Sequence, residues 1–347
     1  MISGVSLFSN VGIAESYIEN NGVKIVVANE LLRERVAFYS ETYAQCKIVQ
    51  GDITTQDTYA KVLKLALENR CDFLLATPPC QGMSVAGMMQ ENDPRNSLIK
   101  YVVKMIQDLE PSFAIIENVP KILKTYLVHK GQKVKVLDYI LDALPQYHIN
   151  YKIVNSADYG TAQNRQRAIF LISKNELWEF PKTEKPISVR EAIGHLPSLE
   201  SGESSKIAFH KAKQHNARHI EALKHTASGK SALQNEVYYP KKEDGTRIKG
   251  YHSTYRRMSW DKPATTITMS NGSIASHTNV HPGKKLEDGT YSDARVLSLK
   301  ELFILTGLPE DWKPPTWASE HFVRQVIGEG VPPRLIDRLL KTMPKSR

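Results

Sequence analysis

The chain has 347 residues, enough for one large or two modest domains with a sizeable core, and its composition of 41% hydrophobic and 24% charged residues excludes disordered and fibrous classes. A formal charge of +9 points towards a polyanionic partner, although many basic proteins bind no nucleic acid. Cys46, Cys71 and Cys80 share no metal-ligand spacing, residues 1–5 lack a signal-peptide layout, and no apolar run approaches the ~20 residues that span a bilayer, so the expectation is a cytoplasmic protein with neither disulfides nor a membrane segment.

Short apolar runs predict strands at 5–8, 24–28, 47–49, 73–76, 114–116, 150–154 and 168–172. Between them, apolar residues at three- and four-residue steps predict helices at 59–67, 98–109 and 134–144. Strands alternating with helices imply an α/β fold with a mostly parallel sheet covered on both faces. After Pro181 the chain turns rich in His, Lys, Ser and Gly and loses its periodicity until about residue 290; helices are expected again at 297–308 and 334–343. The outline is one α/β domain, a basic insert, and a return to the first domain.

The strand at 73–76 runs into Pro78-Pro79-Cys80-Gln81, where two prolines end it abruptly. That presents a thiol on a stiff loop at a strand's carboxyl end, the place where open α/β sheets bind ligands. Glu30 and Asp52 end the next two strands after the glycine-containing turn at Gly12, a pattern suited to an adenosine-like ligand without a pyrophosphate. Glu117 ends a fourth strand, as either a solvated loop acid or a carboxyl group that hydrogen-bonds a substrate. Arg165 and Arg167, in Gln163-Asn164-Arg165-Gln166-Arg167, point to one side of an extended chain, as a paired cationic grip or as a plain protected sheet edge. His215 and His219 are spaced for one helix face but have no third ligand, so no metal is expected.

In order along nearly the whole chain, these segments resemble the DNA cytosine-5 methyltransferases. The motifs are Leu7-Phe8-Ser9-Asn10-Val11-Gly12, Asn29-Glu30, Gly51-Asp52-Ile53, Pro78-Pro79-Cys80-Gln81-Gly82-Met83-Ser84, Asp93-Pro94-Arg95-Asn96-Ser97-Leu98, Glu117-Asn118-Val119, the Gln163–Arg167 pentapeptide, Arg295–Glu301 and Gly328-Glu329-Gly330-Val331-Pro332-Pro333. Two departures stand out: Asn10 and Ile13 replace glycines, and Glu329 replaces an asparagine.

The resemblance implies a Rossmann-like class I S-adenosylmethionine-dependent methyltransferase core with a mixed, mostly parallel sheet and a small irregular target-recognition domain. Residues 1–181 would form the catalytic and cofactor-binding domain, 182–294 the target-recognition domain, and 295–347 the return. Phe8, Gly12, Glu30, Asp52, Ile53, Pro79, Leu98 and Val331 would line the S-adenosylmethionine site. Glu30 would meet the ribose hydroxyls and Asp52 the adenine amino group. Cys80 would attack carbon 6 of a flipped cytosine, Glu117 would hold its Watson–Crick edge, Arg165 would bind the base carbonyl, and Arg167 would orient its neighbours. Gln81, Ser84, Arg256, Arg257 and Thr266 would contact double-stranded DNA. The implied setting is a monomer near the bacterial nucleoid, with a cognate restriction endonuclease as a possible companion. An exocyclic-amine methyltransferase would have no use for Cys80. A tRNA cytosine-5 methyltransferase is the nearer rival, but its catalytic loop differs from Gly82-Met83-Ser84.

Overall fold

The computed structural model describes residues 1–79 and 97–345, and the chain forms two compact units. The first comprises Met1–Asn155, Gln166–Thr183 and Leu335–Arg347; the second comprises Ser156–Arg165 and Glu184–Arg334. Among the described residues no helix is long and apolar enough to cross a membrane.

The first unit is built on seven strands: β1 (Ile2–Leu7), β2 (Val23–Glu30), β3 (Lys47–Gln50), β4 (Phe73–Ala76), β5 (Phe113–Asn118), β8 (His148–Asn155) and β9 (Gln166–Ser173), in the order β3-β2-β1-β4-β5-β9-β8. β9 runs antiparallel to both neighbours and all other pairs shown are parallel. The chain therefore builds outward from β1 to β3, then returns to place β4 on the other side of β1. That reversal opens a crevice beyond the carboxyl ends of β1 and β4. β4 and β5 are buried along their whole length, which is why they read as unbroken apolar runs.

Helices α1 (Arg33–Thr42), α2 (Gln56–Glu68), α3 (Leu98–Leu109) and α4 (Val136–Ala143) complete this unit up to β8. The stripe of α3, with Ile99, Val102, Val103, Ile106 and Leu109, packs against Leu74, Ala114, Ile116 and Phe170 in the main core. The expected helix at 134–144 begins two residues later than read. Val134 belongs instead to a hairpin of β6 (Tyr126–His129) and β7 (Gln132–Lys135). In place of a regular helix after β1 there are two short 3₁₀ turns, Ile13–Glu15 and Ile18–Asn21.

The second unit holds α5 (Val189–Ile193), α6 (Ala217–Lys224), α7 (Leu299–Thr306) and α8 (Glu320–Glu329), while α9 (Pro333–Leu340) begins in it and ends in the first. Elsewhere it is made of two short 3₁₀ turns, Ser156–Tyr159 and Ala232–Gln234, and loops joined by isolated bridges, consistent with the lost periodicity. Ser298 and Glu301 form a capping box at the start of α7. The same Glu301 lies in a buried ionic cluster. Arg295 donates to Glu301 at 2.8 and 2.9 Å and to Asp293 at 2.8 Å, while His281 lies 3.6 to 3.7 Å from the two carboxylates. Nδ1 of His281 accepts the Gly283 N–H, which leaves its remaining proton on Nε2.

Candidate active site

In the first unit the loops after β1, β2, β3, β4 and β5 are fastened to one another by buried polar groups. The Asn29 side chain donates to the carbonyls of Val49 and Gly51, the Thr77 hydroxyl to that of Phe8, and the Asn118 side chain to that of Pro78 at 2.9 Å. The last bond fixes the segment two residues before Cys80 to the strand end that carries Glu117. Neither Asn29 nor Asn118 was singled out from the sequence as a site residue, since an asparagine beside an acid carries no signature of its own.

Glu117 is buried at the end of β5, and its Oε1 lies 2.6 Å from Nε of Arg167. The register explains the meeting. Glu117 pairs with Ile169 across the antiparallel β5–β9 ladder, and Arg167 lies two residues away on the same face. Arg165 has a different fate. Its guanidinium, in the second unit, donates to the carbonyls of Ile267 at 3.0 Å, Gly328 at 3.0 Å and Glu329 at 3.1 Å. The two arginines therefore form no joint grip: Arg167 serves the carboxylate and Arg165 serves the backbone.

Around Arg165 three sequence motifs close into one clamp. Asn164 N–H donates to the Ala264 carbonyl, Thr266 Oγ1 to the Asn164 carbonyl, and Ile267 N–H to Gln163 Oε1, all within 3.0 Å. Gly328 lies so close to Thr268 and Met269 that an added Cβ would stand 2.3 Å from the Thr268 carbonyl. Glu329 turns its carboxylate back to Gln325, and Val331 beside it is buried.

Glu30 is buried at the end of β2, where Oε2 accepts the Asn10 N–H at 3.0 Å and Oε1 the Leu32 N–H at 2.9 Å. Each oxygen keeps a further lone pair for a hydroxyl. Asp52, at the neighbouring strand end, is exposed, with only Oδ1 turned to the Thr54 N–H. Two acids side by side beyond the β1–β4 reversal fit an adenosyl ligand. Phe8 and Leu98 are half-buried, Pro79 is exposed, and Ile53 is buried in the main core. Cys80, Gln81 and Ser84 lie outside the described residues.

The Asn10 departure has a conformational reason. Its φ is 51°, left-handed, and asparagine is among the few side chains that adopt that region readily. Gly12 has φ 78°, and a Cβ there would meet the Tyr43 ring at 2.2 Å, so no other residue fits. Gly12→Ala is expected to lower stability by about 2–3 kcal/mol through strain and overpacking. Urea denaturation measures it; an unchanged midpoint would refute this reading of the turn.

The remaining thiols and basic residues are accounted for structurally. Burial pushes the Cys46 and Cys71 thiols up to about 12, far from a nucleophile's range. His215 accepts the Val296 N–H, and His219 stacks edge-on against Tyr255. Arg257, expected at DNA, is wholly buried, with its guanidinium on the carbonyls of Leu223, His281 and Asp293. That expectation is corrected: a side chain committed to three carbonyls has no reach to a phosphate. Arg256 is half-buried and lines a depression of about 310 Å³ with Asn164, Lys262, Thr265 and Thr278. Thr266 is half-buried and spent on the clamp.

Comparison with known proteins identifies the family. A family model described as C-5 cytosine-specific DNA methylase matches residues 2–345. The type II methyltransferase M1.HgaI of Avibacterium volantium is 48% identical over 98% of this chain and 97% of its own. The type II methyltransferase M1.HphI of Haemophilus parahaemolyticus is 26% identical over 98% and 86%. Among solved structures, an E. coli prophage protein described as a DNA modification methyltransferase superposes with a TM-score of 0.70 at 19% identity, covering 99% of this chain and 98% of its own. The Spodoptera frugiperda DNMT2 does so at 0.64 and 15%, covering 99% of each. These two likenesses speak for the fold. The α/β fold, the ordered motifs and the matched relatives together make the chain a member of the C-5 cytosine-specific DNA methylase family.

Proposed function

We propose that the chain methylates carbon 5 of a cytosine flipped out of duplex DNA, through a transient covalent bond to Cys80, in the service of a restriction-modification system. The observation that carries this reading is the Glu117–Arg167 pair, held at 2.6 Å on the strand end that Asn118 ties to the Pro78 carbonyl. Carbon 5 of cytosine is a weak nucleophile, and a covalent step divides the difficulty. The Cys80 thiolate adds to carbon 6 while Glu117 hydrogen-bonds nitrogen 3 and the exocyclic amine, so that the ring takes up the electron pair. S-adenosylmethionine, held by Glu30 and Asp52, supplies an electrophilic methyl group when bound. As the S–CH3 bond of the sulfonium breaks, carbon 5 would take the methyl and leave a neutral thioether; carbon 5 then gives its proton to water, and the freed electron pair expels the Cys80 thiolate from carbon 6.

In this reading Arg167 orients Glu117 and meets the base carbonyl, a role supported by its 2.6 Å approach to Glu117 and by the bonds from Arg165 to three backbone carbonyls. A base inside the duplex cannot reach such a site, hence flipping. In this reading residues 182–294 read the target sequence. Arg256, Lys262 and the loop residues Gln81 and Ser84 contact DNA.

A duplex carrying 5-fluorocytosine tests the mechanism, because carbon 5 then has no proton to lose. With labelled S-adenosylmethionine the wild type should give a denaturation-resistant protein–DNA adduct, and Cys80→Ala should give none. An equal adduct from the variant, or methyl transfer to tRNA alone, would sink the proposal.

A further inference from the structure

Between Glu117 and Asp138 the chain contains no carboxylate but five lysines, Lys121, Lys124, Lys130, Lys133 and Lys135. Half of this stretch is the β6–β7 ribbon of the first unit. Its register pairs Tyr126 with Lys135 and Val128 with Lys133 on one face, and Leu127 with Val134 on the other. Leu127 is buried and Val134 packs against the main core. The opposite face therefore points to solvent, with Tyr126 39% and Val128 58% exposed and Lys133 and Lys135 exposed beside them. Lys133 lies 4.8 Å above the Tyr126 ring. The ribbon's base is secured by Val136 N–H to the Thr125 carbonyl, and Lys100 of α3 donates to the Val128 carbonyl.

The tip of the ribbon is more telling. Lys130 and Gly131 both have positive φ, 49° and 76°, the two-residue hairpin geometry that favours Asn-Gly or Asp-Gly. A lysine in the left-handed region costs about 1 kcal/mol, and it sits at the most projecting point of the ribbon. A purely structural turn would relieve that strain with asparagine. Keeping a cation there argues for a use of the charge.

From this we infer that the β6–β7 ribbon is a sequence-independent contact for the DNA phosphate backbone, lodged in the catalytic unit and separate from the residues that read the target. The inference rests on the reading that duplex DNA is the substrate. The ribbon is charged with one sign, fixed to the core, and carries an aromatic and an aliphatic side chain among its lysines, a surface complementary to a polyanion. The competing explanation is that the lysines only keep a bare two-stranded edge from pairing with other chains. Charge of either sign serves that purpose, whereas phosphate tolerates only one.

Binding of a duplex with the target site, and of one without it, is to be followed by fluorescence anisotropy across a salt series. Replacing Lys130 by Asn and Lys133 and Lys135 by Gln should weaken both about tenfold or more near physiological salt. It should also flatten the slope of log affinity against log salt by about 2 to 3, at ~0.9 per phosphate contact. KM for DNA should rise while kcat at saturating DNA holds. Lys130→Asn alone should raise thermal stability slightly and still weaken binding, which separates charge from folding. Glu at the three positions should leave the protein soluble and abolish binding. An unchanged salt slope in a protein that methylates DNA would overturn the ribbon alone. A wild type that methylates no DNA would overturn the substrate reading and this inference with it.

Discussion

Arg167→Ala should lower kcat for methyl transfer by about two to three orders of magnitude and also lower the melting temperature, since it strands a buried carboxylate. The loss follows from Glu117, whose carboxylate would be left buried without the guanidinium 2.6 Å away that fixes its direction. Arg167→Lys should recover only part of the rate, because a compact ammonium on a flexible stem cannot hold its charge where the flat guanidinium does. Arg165→Ala should act first on stability. Its side chain satisfies three backbone carbonyls inside the second unit, so its removal should cost on the order of 3 kcal/mol of stability, with activity falling as the clamp loosens. Paired thermal melts and single-turnover rates of the two variants decide the matter. A folded, inactive Arg165→Ala beside an active Arg167→Ala would hand the base-facing role back to Arg165.

The second large effect belongs to the ionic cluster of the second unit. Arg295→Ala should destabilise that unit by about 3–5 kcal/mol, because it strands two buried carboxylates. Against a typical domain stability of about 5–15 kcal/mol, that is a large share. The cluster also gives stability a pH dependence of definite sign. Burial pushes His281 down from 6.5 to about 4, against the pull of Glu301. Burial alone would raise Glu301 and Asp293, but Arg295 and His281 outweigh it and bring Glu301 from 4.5 down to about 2, with Asp293 lower still. All three groups bind protons more readily unfolded than folded. Their stabilisation is therefore complete at neutral pH. His281 gives up its share from about pH 6.5 down to 4, and the acids follow from about 4.5 downwards. Melting temperatures between pH 7.5 and 5 should fall, and His281→Gln should flatten that fall. A wild-type melting temperature that rises over this range would contradict the cluster's charge state.

The first unit was legible because burial on both faces of its strands leaves continuous apolar runs, as in β4 and β5, and because the α3 stripe keeps its period across three turns. Helix α1 was not, since it buries only Phe38 and Tyr39 and shows no stripe to read. The β6–β7 hairpin escaped because its turn is Lys130-Gly131 rather than an asparagine–glycine pair. The places of Glu30, Asp52 and Glu117 at or just beyond strand ends were legible, because strand order can be read from the sequence. The contacts of Arg165 and Arg167 were not legible, because they depend on residues about 100 to 160 positions away and on the β5–β9 register. Arg257 misled for the same reason. A pair of adjacent arginines looks solvent-facing until the carbonyls that enclose one of them are known.

The clamp around Arg165 also has a topological consequence. Ala264 N–H donates to the Ala162 carbonyl at 2.9 Å, and Gln163 and Ala264 form a bridge, so two segments of the second unit a hundred residues apart in sequence meet there, while the chain between them first supplies β9 to the first unit. The part of that stretch that follows β9 can change length at little cost, because loop-closure entropy grows only slowly with length. Such changes leave the bonds among Gln163, Arg165, Ile267 and Gly328 in place.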